Sequence, residues 1–216
     1  GAAAPRFLAM RLFWNGFRAK GEPIANARWV VVDCETSGLD VERDRLLSVG
    51  AVGMRDGRIE LTDAFEAKVR QDTPSAPDNI VIHGISGDLQ VLAGKELDWV
   101  IREFSAFLGD GVPVAFHAGF DAAILKRHGL AQRRQWLDLA GLAPALFPAL
   151  GATDSNLDHW LAAFGIPAVS RHDALGDAFA AAQLLLVLWN EAKRQRVETV
   201  EALLKTERAG RWLARR

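Results

Sequence analysis

The chain has one cysteine, Cys34, so it can form neither an internal disulfide nor a thiolate-rich metal centre. That usage points to a reducing setting, and the expected location is cytoplasmic. Long apolar runs are missing too: the longest, around Ala178 to Trp189, contains Gln183 and is too short to span a bilayer. There is no internal repeat and no low-complexity segment, which excludes solenoid and fibrous architectures. Nor does one sign of charge dominate, since the formal net charge is -1. That balance conceals a split. Residues 1–28 carry five basic side chains and one acid, and residues 196–216 carry six and three. The stretch between them holds 15 basic and 23 acidic residues. An acidic body is a poor match for a polyanion unless some of its carboxylates hold divalent cations.

What is present fits a globular chain of 216 residues, half of them hydrophobic, with one core domain and appended terminal helices. Residues 5–20 contain no acid and repeat Phe7, Met10, Phe13 or Trp14 and Phe17 at helical spacing, which predicts a basic amphipathic helix. Gly21 to Asn26 reads as a linker. The expected division is therefore 1–27 for the N-terminal helix and linker, 28–195 for the main domain, and 196–216 for a basic C-terminal helix. Arg28 to Asp33 is a near-continuous apolar strand, as expected for one buried on both faces. Strands near Leu46–Met54 and Ile59–Val69 flank the Asp56-Gly57 turn signal. Helical periodicity over Trp99–Leu108, a strand at Val112–Phe116 and helices at Phe120–His128, 156–164 and Asp173–Arg194 follow. A strand meander followed by alternating strand and helix is an α/β plan with a mixed sheet.

Three segments carry chemistry. In VVVDCETSGLD, Asp33 and Glu35 are two apart in a strand and so share one face, with Cys34 turned to the other. Two acids on one face of an apolar strand are either a solvated strand end or a pair of hard oxygen ligands for Mg²⁺ or Mn²⁺. Asp121 follows an apolar strand and a small-residue turn, where it is either a helix N-terminal acid or a further ligand. In RHDALGDAFAAA, Asp177 lies on an otherwise apolar helix and needs a partner or an ion, His172 precedes it by five residues, and Asp173 is placed to cap the helix.

Taken in order, Asp33, Glu35, Asp121, His172 and Asp177 resemble the five catalytic positions of the DEDDh 3'→5' exonucleases, a DnaQ-like family that includes proofreading epsilon subunits. Thr36, Gly38 and Leu39 extend the first motif, Phe120 joins the second, and the H-x4-D spacing of the third selects the "h" subgroup. The resemblance covers about residues 28–192. It implies a ribonuclease H-like α/β fold, with a central mixed five-stranded sheet and helices on both faces. It also implies two divalent cations, Mg²⁺ or Mn²⁺, held by Asp33, Glu35, Asp121 and Asp177, with His172 as general base.

Further roles follow from the resemblance. Thr36, Ser37, Gly38 and Leu39 would form a floor under the terminal nucleotide, with Phe120 as a wall; ordinary packing is the other reading of Leu39 and Phe120. His83, in VIHGIS, would line the same pocket. Many relatives have His-Asn before the second motif, where this chain has Phe116-His117, and His117 is placed to substitute for that Asn. The implied partner is a single strand or 3' end of DNA or RNA. An oligoribonuclease-like hydrolase of very short RNA is an alternative, as is a proofreading subunit that docks on a polymerase or other protein through its N-terminal helix.

Overall fold

A computed structural model of the chain describes residues 21–72, 94–131, 135–150, 156–167 and 173–214. The helix expected over residues 5–20 lies outside the described residues, as do His83 and His172. Five strands form one sheet: β1 (Trp29–Thr36), β2 (Leu46–Arg55), β3 (Arg58–Lys68), β4 (Val112–Ala115) and β5 (Leu137–Asp138). Their order is β3-β2-β1-β4-β5, antiparallel from β3 to β1 and parallel from β1 to β5. The described helices are α1 (Leu97–Leu108), α2 (Ala118–Arg127), α3 (Leu139–Leu146), α4 (Leu157–Ala163), α5 (Ala174–Arg194) and α6 (Val200–Ala214).

Strand β1 is central, which explains its unbroken run of apolar residues. Trp29 and Val31 enter a core shared with α3, α4, α5 and α6. Val30, Val32 and Cys34 enter a second core with α1 and α2 on the opposite face. Each fully buried valine contributes on the order of 2 kcal/mol by transfer from water. The strand runs three residues beyond the expected end at Asp33, because pairing with β2 continues through Glu35↔Ser48 to Thr36↔Leu46 across a bulge. Asp56 and Gly57 both take positive φ, 51° and 71°, and close the β2–β3 hairpin as their dipeptide predicts.

Two elements had no counterpart in the sequence reading. Strand β5 has two residues, too few for any periodicity to show. Helix α3 (LAGLAPAL) is apolar nearly all round and contains Pro144, so it carries no amphipathic stripe. It starts where Asp138 accepts a hydrogen bond from the Ala140 N–H.

Both ends of the described chain pack on this body. Helix α6 puts Leu203 and Leu204 into the same core as α5 and crosses α3 closely: a Cβ on Gly210 would sit 2.4 Å from the Gly141 carbonyl oxygen. Gly21–Asn26, expected as a linker, instead forms a turn at Ile24–Asn26 tied to the start of α6. The Ile24 N–H donates to Glu198 O (2.9 Å), and the Val200 N–H donates to Glu22 O (3.0 Å). Ile24 is buried, and its carbonyl accepts from Trp29 Nε1.

Arg28 fastens the other edge. Its Nε and Nη2 donate to both oxygens of Asp63 on β3 at 2.8 and 2.7 Å. Nη1 donates to the carbonyls of Phe107 and Leu108 at the end of α1, and the guanidinium lies over the Phe107 ring. One side chain thus joins β1, β3 and α1. The bond from Arg28 holds the Asp63 carboxyl below its usual range, against a smaller opposing effect of burial. Gly53 leaves the room, since a Cβ there would fall 1.9 Å from Asp63 Oδ2. An Asp63→Asn variant is expected to lose about 2 kcal/mol at neutral pH, in line with a hydrogen bond between charged groups. Because the folded-state pKa is lowered, that stabilisation is present above the unfolded carboxylate value and fades as pH falls through the folded one. Denaturant unfolding of both proteins at several pH values checks it; a gap that persists at low pH would contradict the assignment.

Candidate active site

The acids on β1 divide by strand alternation. Asp33 and Glu35 face α5, while Cys34 turns into the opposite core, as the two-residue period requires. On α5, the Asp173 side chain accepts from the Gly176 N–H at 3.0 Å and caps the helix, and Asp177 follows in the first turn, buried. Asp33, Glu35 and Asp177 each offer a carboxylate oxygen within 4.8 Å of the others. Three carboxylates this close repel one another when ionised, and a divalent cation relieves that repulsion. Among the described residues the donor set is all oxygen, which suits a hard divalent cation rather than a softer metal.

The residue that permits this convergence is Gly50. It pairs with Asp33 across β1 and β2, and the first turn of α5 lies directly on it. A Cβ at Gly50 would fall 2.2 Å from the backbone of Ala174 and Leu175. Backbone atoms cannot swing aside as a flexible side chain can, so a side chain here would lift α5 and take Asp177 with it. Gly50 did not figure in the sequence reading, although a glycine inside a strand is the ordinary signal of close backbone approach.

Asp121 does not belong to that 4.8 Å group. It is buried in the first turn of α2 and hydrogen-bonded to Cys34. Burial pushes its pKa up to about 7, against the pull of the Cys34 bond and of backbone N–H groups. Burial, and then the nearby Asp121 charge, also raises the Cys34 thiol well above its ordinary value, so this cysteine is a packed thiol rather than a reactive one.

His117 precedes α2 in the left-handed region, at φ 64° and ψ 45°. That conformation favours Asn and is open to His, which gives a backbone reason for either residue at this place. Its N–H donates to Asp138 Oδ1 at 3.0 Å, the same oxygen that caps α3. Asp138 thereby ties the turn before α2 to the start of α3. It too was missed, although an acid just before an apolar run is a helix N-cap signal. The His117 ring is exposed and packs edge-on against Phe116 at 4.8 Å, and Phe120 is half-buried one turn on.

After β1 the chain enters a tight loop. Thr36 Oγ1 donates to Gly38 O (2.6 Å), Ser37 Oγ donates to Asp44 Oδ1 (2.9 Å), and the Asp40 N–H donates to Asp44 Oδ2 (2.7 Å). Gly38 packs on that carboxylate, where a Cβ would come within 2.5 Å of it. At the tip Leu39 is 88% exposed, so core packing does not account for it.

The exonuclease family model RNase_T matches residues 30–185. A PolC-type DNA polymerase III from Halalkalibacterium halodurans is 33% identical over 169 residues, covering 76% of this chain and 11% of the polymerase. A DNA polymerase III subunit epsilon-like protein of Rhodobacter capsulatus is 31% identical over 188 residues, covering 84% of this chain and 26% of that protein. The chain thus spans only about a tenth and about a quarter of these two relatives. Among solved structures, E. coli Exonuclease I in complex with a dT13 oligonucleotide superposes with a TM-score of 0.66 at 17% identity, over 79% of this chain and 42% of that one. Exonuclease X in complex with 5' overhanging duplex DNA gives 0.63 at 24% identity, over 83% and 99%. These neighbours share the mixed-sheet, ribonuclease H-like fold.

A Gly50→Val variant is expected to lose about 1–3 kcal/mol of stability, the usual cost of overpacking. It should also bind Mn²⁺ more weakly, because Asp177 moves away from Asp33. Titration calorimetry and denaturant unfolding test both; a folded variant with undiminished Mn²⁺ affinity would remove Gly50 from the account.

Proposed function

The chain belongs to the RNase_T exonuclease family, the DnaQ-like group that its motifs resemble, and from that premise we propose that it is a metal-dependent 3'→5' exonuclease releasing nucleoside 5'-monophosphates. The observation that carries this reading is the convergence of Asp33, Glu35 and Asp177 within 4.8 Å. In this reading residues 28–195 are the catalytic body, flanked by the terminal segments 1–27 and 196–216. Two divalent cations, Mg²⁺ or Mn²⁺, would be held by Asp33, Glu35 and Asp177 with Asp121 directly or through water, and when bound they neutralise the phosphodiester and acidify the attacking water.

The chain's own groups do the rest. His172 takes the proton from the attacking water as general base. The water oxygen bonds to phosphorus while the bond from phosphorus to the 3' oxygen breaks, and that oxygen takes up a proton from solvent to become the 3' hydroxyl of the shortened strand. Thr36, Ser37 and Gly38 support the terminal nucleotide, and Leu39 presses on its base. Phe120 and His117 border it from α2, and His83 adds a further contact. The relatives named as DNA polymerases support DNA as the substrate. Those names also support a second reading, in which the nuclease works beside a polymerase and the basic N-terminal segment is the docking element. Removing residues 1–20 should then abolish partner binding and leave strand cleavage intact.

The test uses 3'- and 5'-labelled single strands of DNA and RNA, plus a dinucleotide, with Mg²⁺ or Mn²⁺. Mononucleotides should leave from the 3' end only when metal is present. Asp33→Ala should lower kcat by about a hundred-fold or more. His172→Ala should lower it by about 10²–10⁴-fold. Wild-type rate should rise with pH through about 6.5, since only neutral imidazole accepts a proton. Cleavage that survives in both variants, or that starts inside the strand, would sink the proposal; a preference for the dinucleotide would redirect it to very short RNA.

A further inference from the structure

Arg127, in the last turn of α2, reaches back to the loop that follows β1. Its Nη1 donates to the carbonyl of Val41 and its Nη2 to the carbonyl of Asp44. These are the backbone groups on the far limb of the loop whose tip is Leu39. Inside the loop the Asp44 carboxylate gathers Ser37 and the Asp40 N–H, so Arg127 grips from outside what Asp44 ties from within. The guanidinium has a third neighbour: its Nη2 lies 3.0 Å from His128 Nε2. Burial, and then the charge of Arg127, lower the His128 pKa, so the ring stays neutral and can accept from the guanidinium.

These bonds join the last turn of α2 to the loop, beyond the favourable placing of a cation at a helix C-terminus. The connection from β1 to β2 is nine residues, 37–45, and its tip leaves Leu39 88% exposed. Any part of the loop left for substrate to order would weaken binding. Helix α2 carries Asp121 in its first turn and Arg127 in its last, about 9 Å further along the helix. One rigid element therefore relates the acid at its N-terminal end to the loop at its C-terminal end.

We propose that Arg127 is a positioning residue for the terminal nucleotide: by holding the carbonyls of Val41 and Asp44 it pre-orders the loop so that Leu39 stands ready for the 3'-terminal base. This rests on the exonuclease reading for its substrate but not for its loop. Arg127→Lys keeps the charge and loses the two-pronged fork, so it is expected to hold one carbonyl at most.

The experiment has two arms. In the first, hydrogen exchange of residues 37–45 is compared in wild type, Arg127→Lys and Arg127→Met, with thermal unfolding to confirm that each is folded. Exchange in the loop should quicken while that of β1 and α5 stays at the wild-type rate; unchanged loop exchange in a folded variant overturns the inference whatever the enzyme does. In the second, KM and kcat on a 3'-labelled strand are measured for Arg127→Lys, Leu39→Ala and the double variant. Each single change should raise KM about ten-fold with kcat within about three-fold, the pattern of a lost binding contact. The double variant should be little worse than either single one, because both act through one contact. Effects on KM that multiply fully, or a loss confined to kcat, would show that Arg127 does not work through Leu39. If wild type cleaves nothing, the exonuclease reading fails alone, and the exchange arm still decides the loop.

Discussion

Everything in the site depends on how closely the first turn of one helix can approach the middle of the sheet. Asp33 and Glu35 reach one face of β1 by strand alternation, but the third carboxylate comes from α5, far away in sequence. Bringing like charges within a few ångströms opposes folding, so the backbone must enforce the approach rather than the acids themselves. Gly50 makes that enforcement possible, because the absent side chain lets Ala174 and Leu175 rest on β2 beside the residue paired with Asp33. The extensive apolar packing of α5 behind it, from Ala180 to Ala192, supplies the driving force.

The opposite face of β1 does different work. Cys34 faces α2 and meets Asp121 there, so the acid of the second motif is held by a buried contact. The same helix ends in Arg127, which secures the loop carrying Leu39. At its start, the left-handed turn at His117 is fixed by Asp138, which also caps α3. The two cores thus position different groups: three converging carboxylates on the α5 side, and Asp121 with the loop that carries Leu39 on the α2 side. A change in either core is felt at the site, although most of its residues touch nothing chemical.

How far this could be read in advance varied with the kind of signal. Strand β1, the β2–β3 hairpin and helices α1, α2, α4 and α5 have clear periodicity or clear end signals, and the observed limits differ from the expected ones by a few residues. The mixed sheet followed from the order of strands and helices and the five-strand count from the family resemblance, while the residues of β5 did not show themselves. Two residues carry no period, and α3 is too evenly apolar to have a face. Gly21–Asn26 looked like a linker because Gly, Pro and Asn are loop residues; its docking depends on hydrogen bonds to residues near the other end of the chain.

By itself the sequence determined the chemical identities and their local geometry. Asp33 and Glu35 share a face because strands alternate, Asp173 caps because its side chain can accept an N–H three residues on, and the order of motifs identified the family. Only the tertiary structure decided which acids meet. Asp121 shares a local credential with Asp177, an acid in the first turn of a helix. Yet Asp177 joins the β1 pair, and Asp121 is buried against Cys34. The difference lies in which side of the sheet each helix packs on, and that is set by long-range burial and by a missing side chain at Gly50, neither of which leaves a local periodic trace.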